Sequence, residues 1–396
     1  MTLRRQLAVA SPISPASLLR ALFASARGGT GATAAATEFV RSTYGSASVA
    51  LTDSGTSALI MALRLAVPDG GIVAFPGYAC VDLAAAARFA KVRVRLYDLD
   101  PATLSPDLVS VSRVLARGVD AIVVAHLFAY PADLAGVHSL AAGAGVPVIE
   151  DAAQGSGGTV GGVRLGASGD LSVLSFGRGK GLCAGGGGAI LTRSDRWIEL
   201  VDRLGRAPDT RGVGGVGKTA VQWLLGRPAF YAIPSALPWL HLGEMVYHAA
   251  HEPAGISVAS SALVATAFSL EARELQHRRQ AALALDAAAA RADDVAPIVP
   301  IAGASPGYLR YAVRDLGGRR STSASLGVVQ PYPRALREQP ELAPVLIDDE
   351  PATPGSVELR RTLFTLPTHR FVDRRDVSRL ATWLRGGFQG PTEPPA

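Results

Sequence analysis

The 396-residue chain carries 39 Lys plus Arg, and only three of them are lysines: Lys91, Lys180 and Lys218. Arginine pairs with carboxylates and phosphates through a guanidinium that keeps its proton. A lysine amine can give up its proton and condense with an aldehyde. A lysine retained in an arginine-dominated chain is therefore a candidate for amine chemistry. Lys180 follows the strand-like run Leu171-Ser-Val-Leu-Ser-Phe176 and precedes the glycine tract Gly185 to Gly188. That tract lets the backbone turn tightly and leaves space around an amine. Upstream, the apolar run Val146-Pro-Val-Ile149 ends in Glu150-Asp-Ala-Ala-Gln154. A carboxylate closing one strand and a lysine following another are what pyridoxal phosphate (PLP) chemistry requires. The lysine carries the aldehyde, and the carboxylate of Asp151 keeps the ring nitrogen protonated as an electron sink.

A third group supplies an anion site. Asp53-Ser-Gly-Thr56 follows the run Ser48 to Thr52 and opens a helical stretch. Ser, Gly and Thr at a helix start expose free backbone N–H groups, and the helix dipole favours an anion there. The same residue types also make an ordinary N-cap, which is the leading reading for such a motif alone, and Asp151 taken alone reads first as a surface or N-cap carboxylate. Gln154 lies close enough to Asp151 to reach the same ligand if the segment turns there. Ser175, shortly before Lys180, offers a hydroxyl to a phosphate. The order of these features along the chain joins them into one site: a cup at 54–57, a carboxylate at 151, then Ser175 and Lys180. Each falls at an expected strand end, where open α/β sheets bind ligands.

The elements that must position these residues are legible as a pattern. Between residues 30 and 200, strand-like runs occupy 48–52, 72–75, 92–97, 121–126, 146–149, 171–176 and 189–192. Helical stretches at 56–66, 81–89 and 133–142 lie between them. Strands separated by helix-length segments predict parallel βαβ units and an α/β sheet covered on both faces. Residues 205–255 lose this regularity and are rich in Gly, Pro and aromatics. Residues 260–293 read as a helix, with Ala281 to Ala290 almost pure helix former. Short β-type pieces near 311–314 and a last helix near 376–384 suit a smaller C-terminal α/β domain, and the tail after Gly387 is expected to be disordered. The expected division is a large cofactor-binding domain over 1–255, with an atypical segment about 207–254, and a connecting helix plus small domain over 256–396.

Composition excludes several classes. The net charge is +6, but the arginines are dispersed, without a basic stripe or interleaved aromatics, so nucleic acid is not the expected partner. Two cysteines, Cys80 and Cys183, do not make a disulfide framework and fit a reducing cytoplasm. Pro12, Pro15 and Arg20 interrupt the N-terminal apolar stretch, which makes it a poor signal peptide. The aromatic-rich stretch Ala220 to Ala250 is broken by Arg227, Pro228, Pro234 and Pro238, which favours a surface or interface segment over membrane contact. Gly212-Val-Gly-Gly-Val-Gly-Lys-Thr219 fits the P-loop pattern letter for letter. A P-loop must follow a buried strand, however, and this one follows the polar Arg206-Ala-Pro-Asp-Thr-Arg211. His248 and His251 have metal-like spacing without an evident third ligand, so no metal is expected. His126 ends a strand and reads either as a pocket residue or as a structural histidine.

Residues 35–200 resemble the DegT/StrS family of PLP-dependent aminotransferases, which share fold-type I architecture. The resemblance is carried by Ser54-Gly-Thr-Ser-Ala-Leu59, Pro76-Gly-Tyr-Ala-Cys80, Val94-Arg-Leu-Tyr-Asp-Leu-Asp100, Ala125-His-Leu-Phe-Ala-Tyr-Pro-Ala-Asp133, Glu150-Asp-Ala-Ala-Gln154 and Leu174-Ser-Phe-Gly-Arg-Gly-Lys180 with its glycine tract. Weaker similarity returns at Gln330-Pro-Tyr-Pro333 and Leu363-Phe-Thr-Leu-Pro-Thr-His369. The resemblance implies a homodimer that transfers an amino group, with glutamate as donor, to a nucleotide-linked keto sugar. It implies that Lys180 binds the cofactor aldehyde and then moves the proton, that Asp151 pairs with the ring nitrogen, and that Gln154 contacts the phenolic oxygen. Gly55, Thr56, Ser57 and Ser175 are implied as phosphate ligands. Cys80 stands where the family usually stacks an aromatic on the ring, with Tyr78 as partial compensation. The family's Gly-x-Asn segment followed by Arg is missing: the nearest match, Gly255-Ile-Ser257-Val-Ala259, has neither residue. The family's dehydratases tend to replace the cofactor lysine by His, and Lys180 argues against that alternative. A degraded enzyme or a P-loop nucleotide binder is the remaining alternative.

Overall fold

The computed structural model describes residues 5–26, 30–204, 212–228, 231, 247–347 and 352–386. Helices α1 (Pro15–Ala26) and α2 (Thr30–Tyr44) precede the main sheet. Its strands are β1 (Ser48–Thr52), β2 (Ile72–Pro76), β3 (Arg93–Tyr97), β4 (Ala121–Ala125) and β5 (Val148–Asp151). After the short hairpin of β6 (Thr159–Val160) and β7 (Val163–Arg164), β8 (Leu171–Ser175) and β9 (Gly188–Thr192) complete it. The order is β1-β9-β8-β5-β4-β2-β3. Only β9 pairs antiparallel, to β1 on one side and β8 on the other. The other neighbouring pairs are parallel.

Parallel pairs need crossovers, and helices α3 (Gly55–Ala66), α4 (Asp82–Ala90), α5 (Leu108–Ala116) and α6 (Leu134–Ala144) supply them. Because the sheet is covered on both faces, its central strands are continuous apolar runs; Ile122, Val123 and Val124 of β4 are fully buried. The seven strand-like runs of the sequence are these seven strands, shifted at their ends by one or two residues. Helix α5 was not legible: Val109, Val111 and Val114 lower helix propensity. It is started by Asp107, whose carboxylate accepts the Val109 and Ser110 N–H groups.

Helix α7 (Asp195–Arg203) follows the sheet, and α8 (Gly212–Leu225) occupies part of the segment read as irregular. The P-loop-like residues Gly212 to Thr219 lie inside α8, so they form helix rather than a phosphate-binding loop. Residues 205–211 before it, most of the aromatic stretch with Trp239 and Leu240, and the tail from residue 387 lie outside the described residues.

The long helix α9 (Val258–Ala289) leads to a second sheet of β10 (Val295–Pro297), β12 (Tyr311–Asp315) and β13 (Leu363–Leu366), while β11 (Ala304–Ser305) pairs with β6. Helices α10 (Pro354–Thr362) and α11 (Arg374–Leu384) complete this C-terminal part. Its core packs Leu285 and Ala289 of α9 against Val313, Leu366 and Trp383. The N-terminal residues also dock here: the Gln6 amide donates to Asp376 at 2.7 Å, and His369 Nε2 bonds the Leu7 carbonyl at 2.9 Å.

Candidate active site

The C-terminal ends of β1, β4, β5 and β8 converge on a cavity of about 170 Å³. At β1 the chain passes Asp53 and starts α3. Ser54 caps that helix, its Oγ accepting the Ser57 N–H at 3.0 Å. Gly55 is required for this start: a Cβ there would stand 2.7 Å from Ser175 Cβ. Its absence lets the helix begin directly against the end of β8. The Gly55 and Thr56 amides belong to the first turn, which has no intrahelical acceptors, and both residues line the cavity with Ser175. Ser57 does not line it. It is 1% exposed and its hydroxyl accepts from Ser54 Oγ, so the cup is narrower than 54–57.

At the end of β5 strand alternation sends two adjacent carboxylates to opposite sides. Glu150 turns inward and accepts from His126 Nε2, the amides of Gly166, Ser168 and Gly169, and Ser172 Oγ, all within 2.6–2.9 Å. Burial pushes its pKa up, but the His126 ring and these amides outweigh burial and hold it at about 2. Asp151 turns into the cavity, where burial raises its pKa against the Ala153 N–H and Lys180. Among the described residues its carboxylate accepts one hydrogen bond, from the Ala153 N–H to Oδ1 at 3.0 Å, which leaves Oδ2 for a ligand.

His126 also lines the cavity, with both ring nitrogens engaged by the protein. Its Nδ1 accepts the Ala132 N–H at 3.0 Å, so Nε2 carries the hydrogen donated to Glu150. It is a structural histidine, one of the two readings the sequence left open.

Lys180 reaches the cavity through a turn with positive φ at Gly179 and Gly181. Gly181 must be glycine, because a Cβ would stand 2.6 Å from Ser156 Cβ. Cys80 forms part of the wall; burial and then Asp82 push its thiol pKa above the usual range, so it presents a neutral, soft surface. Gln154 lines the cavity with its amide engaged on both sides: Oε1 accepts the Phe128 N–H at 3.0 Å, and Nε2 donates to Tyr332 Oη at 2.8 Å.

Tyr332 is the aromatic of this wall, and sequence reasoning missed it as a site residue. Its signal was present in Gln330-Pro-Tyr-Pro333. Tyr78, expected to compensate for Cys80, is fully buried behind Tyr332 with ring centroids 5.2 Å apart and does not line the cavity. Two more carboxylates, Asp53 and Asp82, also line it and were not anticipated.

At 255–259, where the family's Asn and Arg are missing, Ile256 packs on Gly187 and Ser257 caps α9 by accepting the Ser260 N–H. His251 bonds Asp53 at 3.2 Å. No group of three His, Cys, Asp or Glu able to hold a metal ion occurs among the described residues. No described helix is long and apolar enough to cross a membrane.

Residues 19–210 match the DegT/DnrJ/EryC1/StrS aminotransferase family. The L-glutamine:2-deoxy-scyllo-inosose aminotransferase of Streptoalloteichus tenebrarius is 35% identical over 167 residues, which cover 41% of this chain and 39% of that one. The alignment thus spans about two fifths of that relative. The UDP-2-acetamido-2-deoxy-3-oxo-D-glucuronate aminotransferase of Pseudomonas aeruginosa is 25% identical over 84% of both chains. A Streptococcus pneumoniae protein solved in PLP and PMP forms shares the fold at TM-scores of 0.75 and 0.76. It is 15% and 16% identical, with 95% of this chain and 97% of that one covered. The chain has the fold of these transferases, and its residues 19–210 are similar to the DegT/DnrJ/EryC1/StrS aminotransferase family.

Proposed function

We propose that the protein is a PLP-dependent aminotransferase that moves an amino group from glutamate to a nucleotide-linked keto sugar. The observation carrying this reading is the meeting of the Lys180 amine, the half-buried Asp151 carboxylate and the open start of α3 in one cavity. The residues fit the cofactor's chemistry: an amine for the aldehyde, a partly desolvated carboxylate for the ring nitrogen, and amides plus a hydroxyl for the phosphate. When bound, PLP supplies an aldehyde carbon and an electron-withdrawing ring.

Asp151 would hold a proton on the ring nitrogen, and a positive ring would offset the desolvation of the carboxylate. Gly55 and Thr56 would donate their N–H groups, and Ser175 its hydroxyl, to the phosphate. Gln154, fixed by Phe128 and Tyr332, and Cys80 would help to position the ring. The Lys180 amine would hold the aldehyde carbon and, once free, would serve as the base that moves a proton at the donor carbon.

The relatives from Streptoalloteichus tenebrarius and Pseudomonas aeruginosa act on a keto-inosose with L-glutamine and on a UDP-linked 3-oxo sugar, which supports a keto sugar or cyclitol acceptor. Retention of Lys180 speaks against a dehydratase, and the helical state of 212–219 against a P-loop. The family resemblance further supports a homodimer, and two buried free cysteines support a cytoplasmic setting. The division at 255/256, with α9 as connector, is part of the same reading.

The test is a half-reaction. With PLP bound, L-glutamate should convert the cofactor to its amine form and release 2-oxoglutarate, and a nucleotide-linked keto sugar should restore it. Bound PLP that glutamate, glutamine and other amino acids all leave unchanged overturns the assignment.

A further inference from the structure

The anion cup carries its own competing charge. Asp53 lines the cavity immediately before the cap residue Ser54, within the positive potential that the start of α3 offers to a phosphate. Its backbone is fixed on both sides: its N–H donates to the Ala254 carbonyl at 3.0 Å, and its carbonyl accepts the Gly187 N–H at 2.9 Å. Its carboxylate is tethered there: Oδ1 accepts the Ala254 N–H at 3.1 Å and Oδ2 lies 3.2 Å from His251 Nε2. A fixed carboxylate beside a phosphate site repels the ligand that the helix start attracts.

His251 stands against this carboxylate. Its Nε2 faces the Asp53 carboxylate and its Nδ1 faces the Glu252 carbonyl at 3.1 Å. Both partners can only accept, so the ring form that donates to both of them is the one with a hydrogen on each nitrogen. The neighbouring Glu252 carboxylate is paired with Arg64 at 3.0 Å and adds little net charge of its own. His251 lies in the stretch just before 255–259, where this chain lacks the family's Asn and Arg.

We propose that Asp53 and His251 form a charge pair that sets the affinity of the α3 cup for the phosphate ester of its cofactor. Asp53 acts as a built-in competitor, and His251 masks it. This inference rests on the cup being the phosphate site of bound PLP. It separates phosphate recognition from ring recognition, since Asp151 and Lys180 act on the ring.

The experiment is an absorbance titration of the apoprotein with PLP and with pyridoxal, which has the same ring and aldehyde but no phosphate. It compares wild type, Asp53→Asn, His251→Ala and the double variant. Asparagine retains an acceptor for the Ala254 N–H, so the first change removes the negative charge and keeps that bond. Asp53→Asn should tighten PLP by roughly threefold to tenfold, and His251→Ala should weaken it by a similar factor. The histidine change should matter less in the double variant, and pyridoxal should bind all four proteins alike. Weaker PLP binding by Asp53→Asn, or parallel changes with pyridoxal, would make Asp53 an anchor for residues 251–254 and overturn the proposal. Unchanged PLP affinity in every variant overturns it as well. Failure of the wild type to bind PLP would instead overturn the functional reading on which it rests.

Discussion

Two adjacent carboxylates, Glu150 and Asp151, show how one strand end makes a structural acid and a chemical one. Glu150 accepts from one ring nitrogen, three amides and one hydroxyl, and stays ionised with a pKa of about 2. Asp151 has one amide partner and a pKa raised by burial, which is the state of a carboxylate awaiting a cation. The depressed Glu150 value fixes the sign of a stability effect. Its contribution is present above the unfolded carboxylate range and is lost as pH falls through that range towards 2. Glu150→Gln is expected to cost roughly 2–4 kcal/mol near neutral pH, because an NH₂ group would face donors. It should also flatten the loss of stability between about pH 4.5 and 2. Denaturant unfolding at several pH values checks both; an unchanged acid slope would contradict this role. Lys180, Asp151 and Gln154 were legible because a lysine-poor chain and strand-end motifs mark them. Tyr332 was not, because its place on the wall depends on a contact with Gln154 from far along the chain.

At the scale of elements, the site depends on how closely the start of α3 approaches the end of β8. Gly55 makes that approach possible, and the isolated bridge between Ser54 and Gly187 ties the helix cap to the glycine tract. Gly55→Ala would push a methyl group to 2.7 Å from Ser175 Cβ. The expected outcome is a loss of about 1–3 kcal/mol from overpacking, together with weaker PLP binding, read by thermal melts and by titration. Full stability and full affinity would mean that the cup does not need this approach. The strands were legible from their apolar runs because a doubly covered parallel sheet demands them. Helices α5 and α10 were not: valines and serines dilute the pattern of α5, and Arg360 and Arg361 dominate the end of α10. Reading 205–255 as irregular failed at α8, where glycine content hid a helix.

Over the whole molecule, the C-terminal part is held to the main sheet by specific polar contacts as well as a shared core. Asp98, at the end of β3, accepts the Gly355 and Ser356 N–H groups and the Ser356 hydroxyl at 2.7–2.8 Å, capping α10 from across the boundary. Tyr130 Oη accepts the Ala312 N–H at 3.2 Å, and Tyr332 brings the same C-terminal part into the cavity wall. The second sheet of β10, β12 and β13 lies where the sequence pattern changes near 295. The docking of Gln6 and Leu7 onto the C-terminal part was not legible in the sequence, because single side-chain contacts between chain ends leave no periodic trace. Together these contacts close the cavity wall around Lys180. The most direct measurement is the absorbance spectrum of the purified protein with added PLP, for wild type and Lys180→Ala. The expected result is a visible or near-ultraviolet band in the wild type that glutamate converts to the amine form and that Lys180→Ala lacks. A band of equal strength in both proteins, or in neither, would contradict the role of Lys180 as the amine that holds the cofactor.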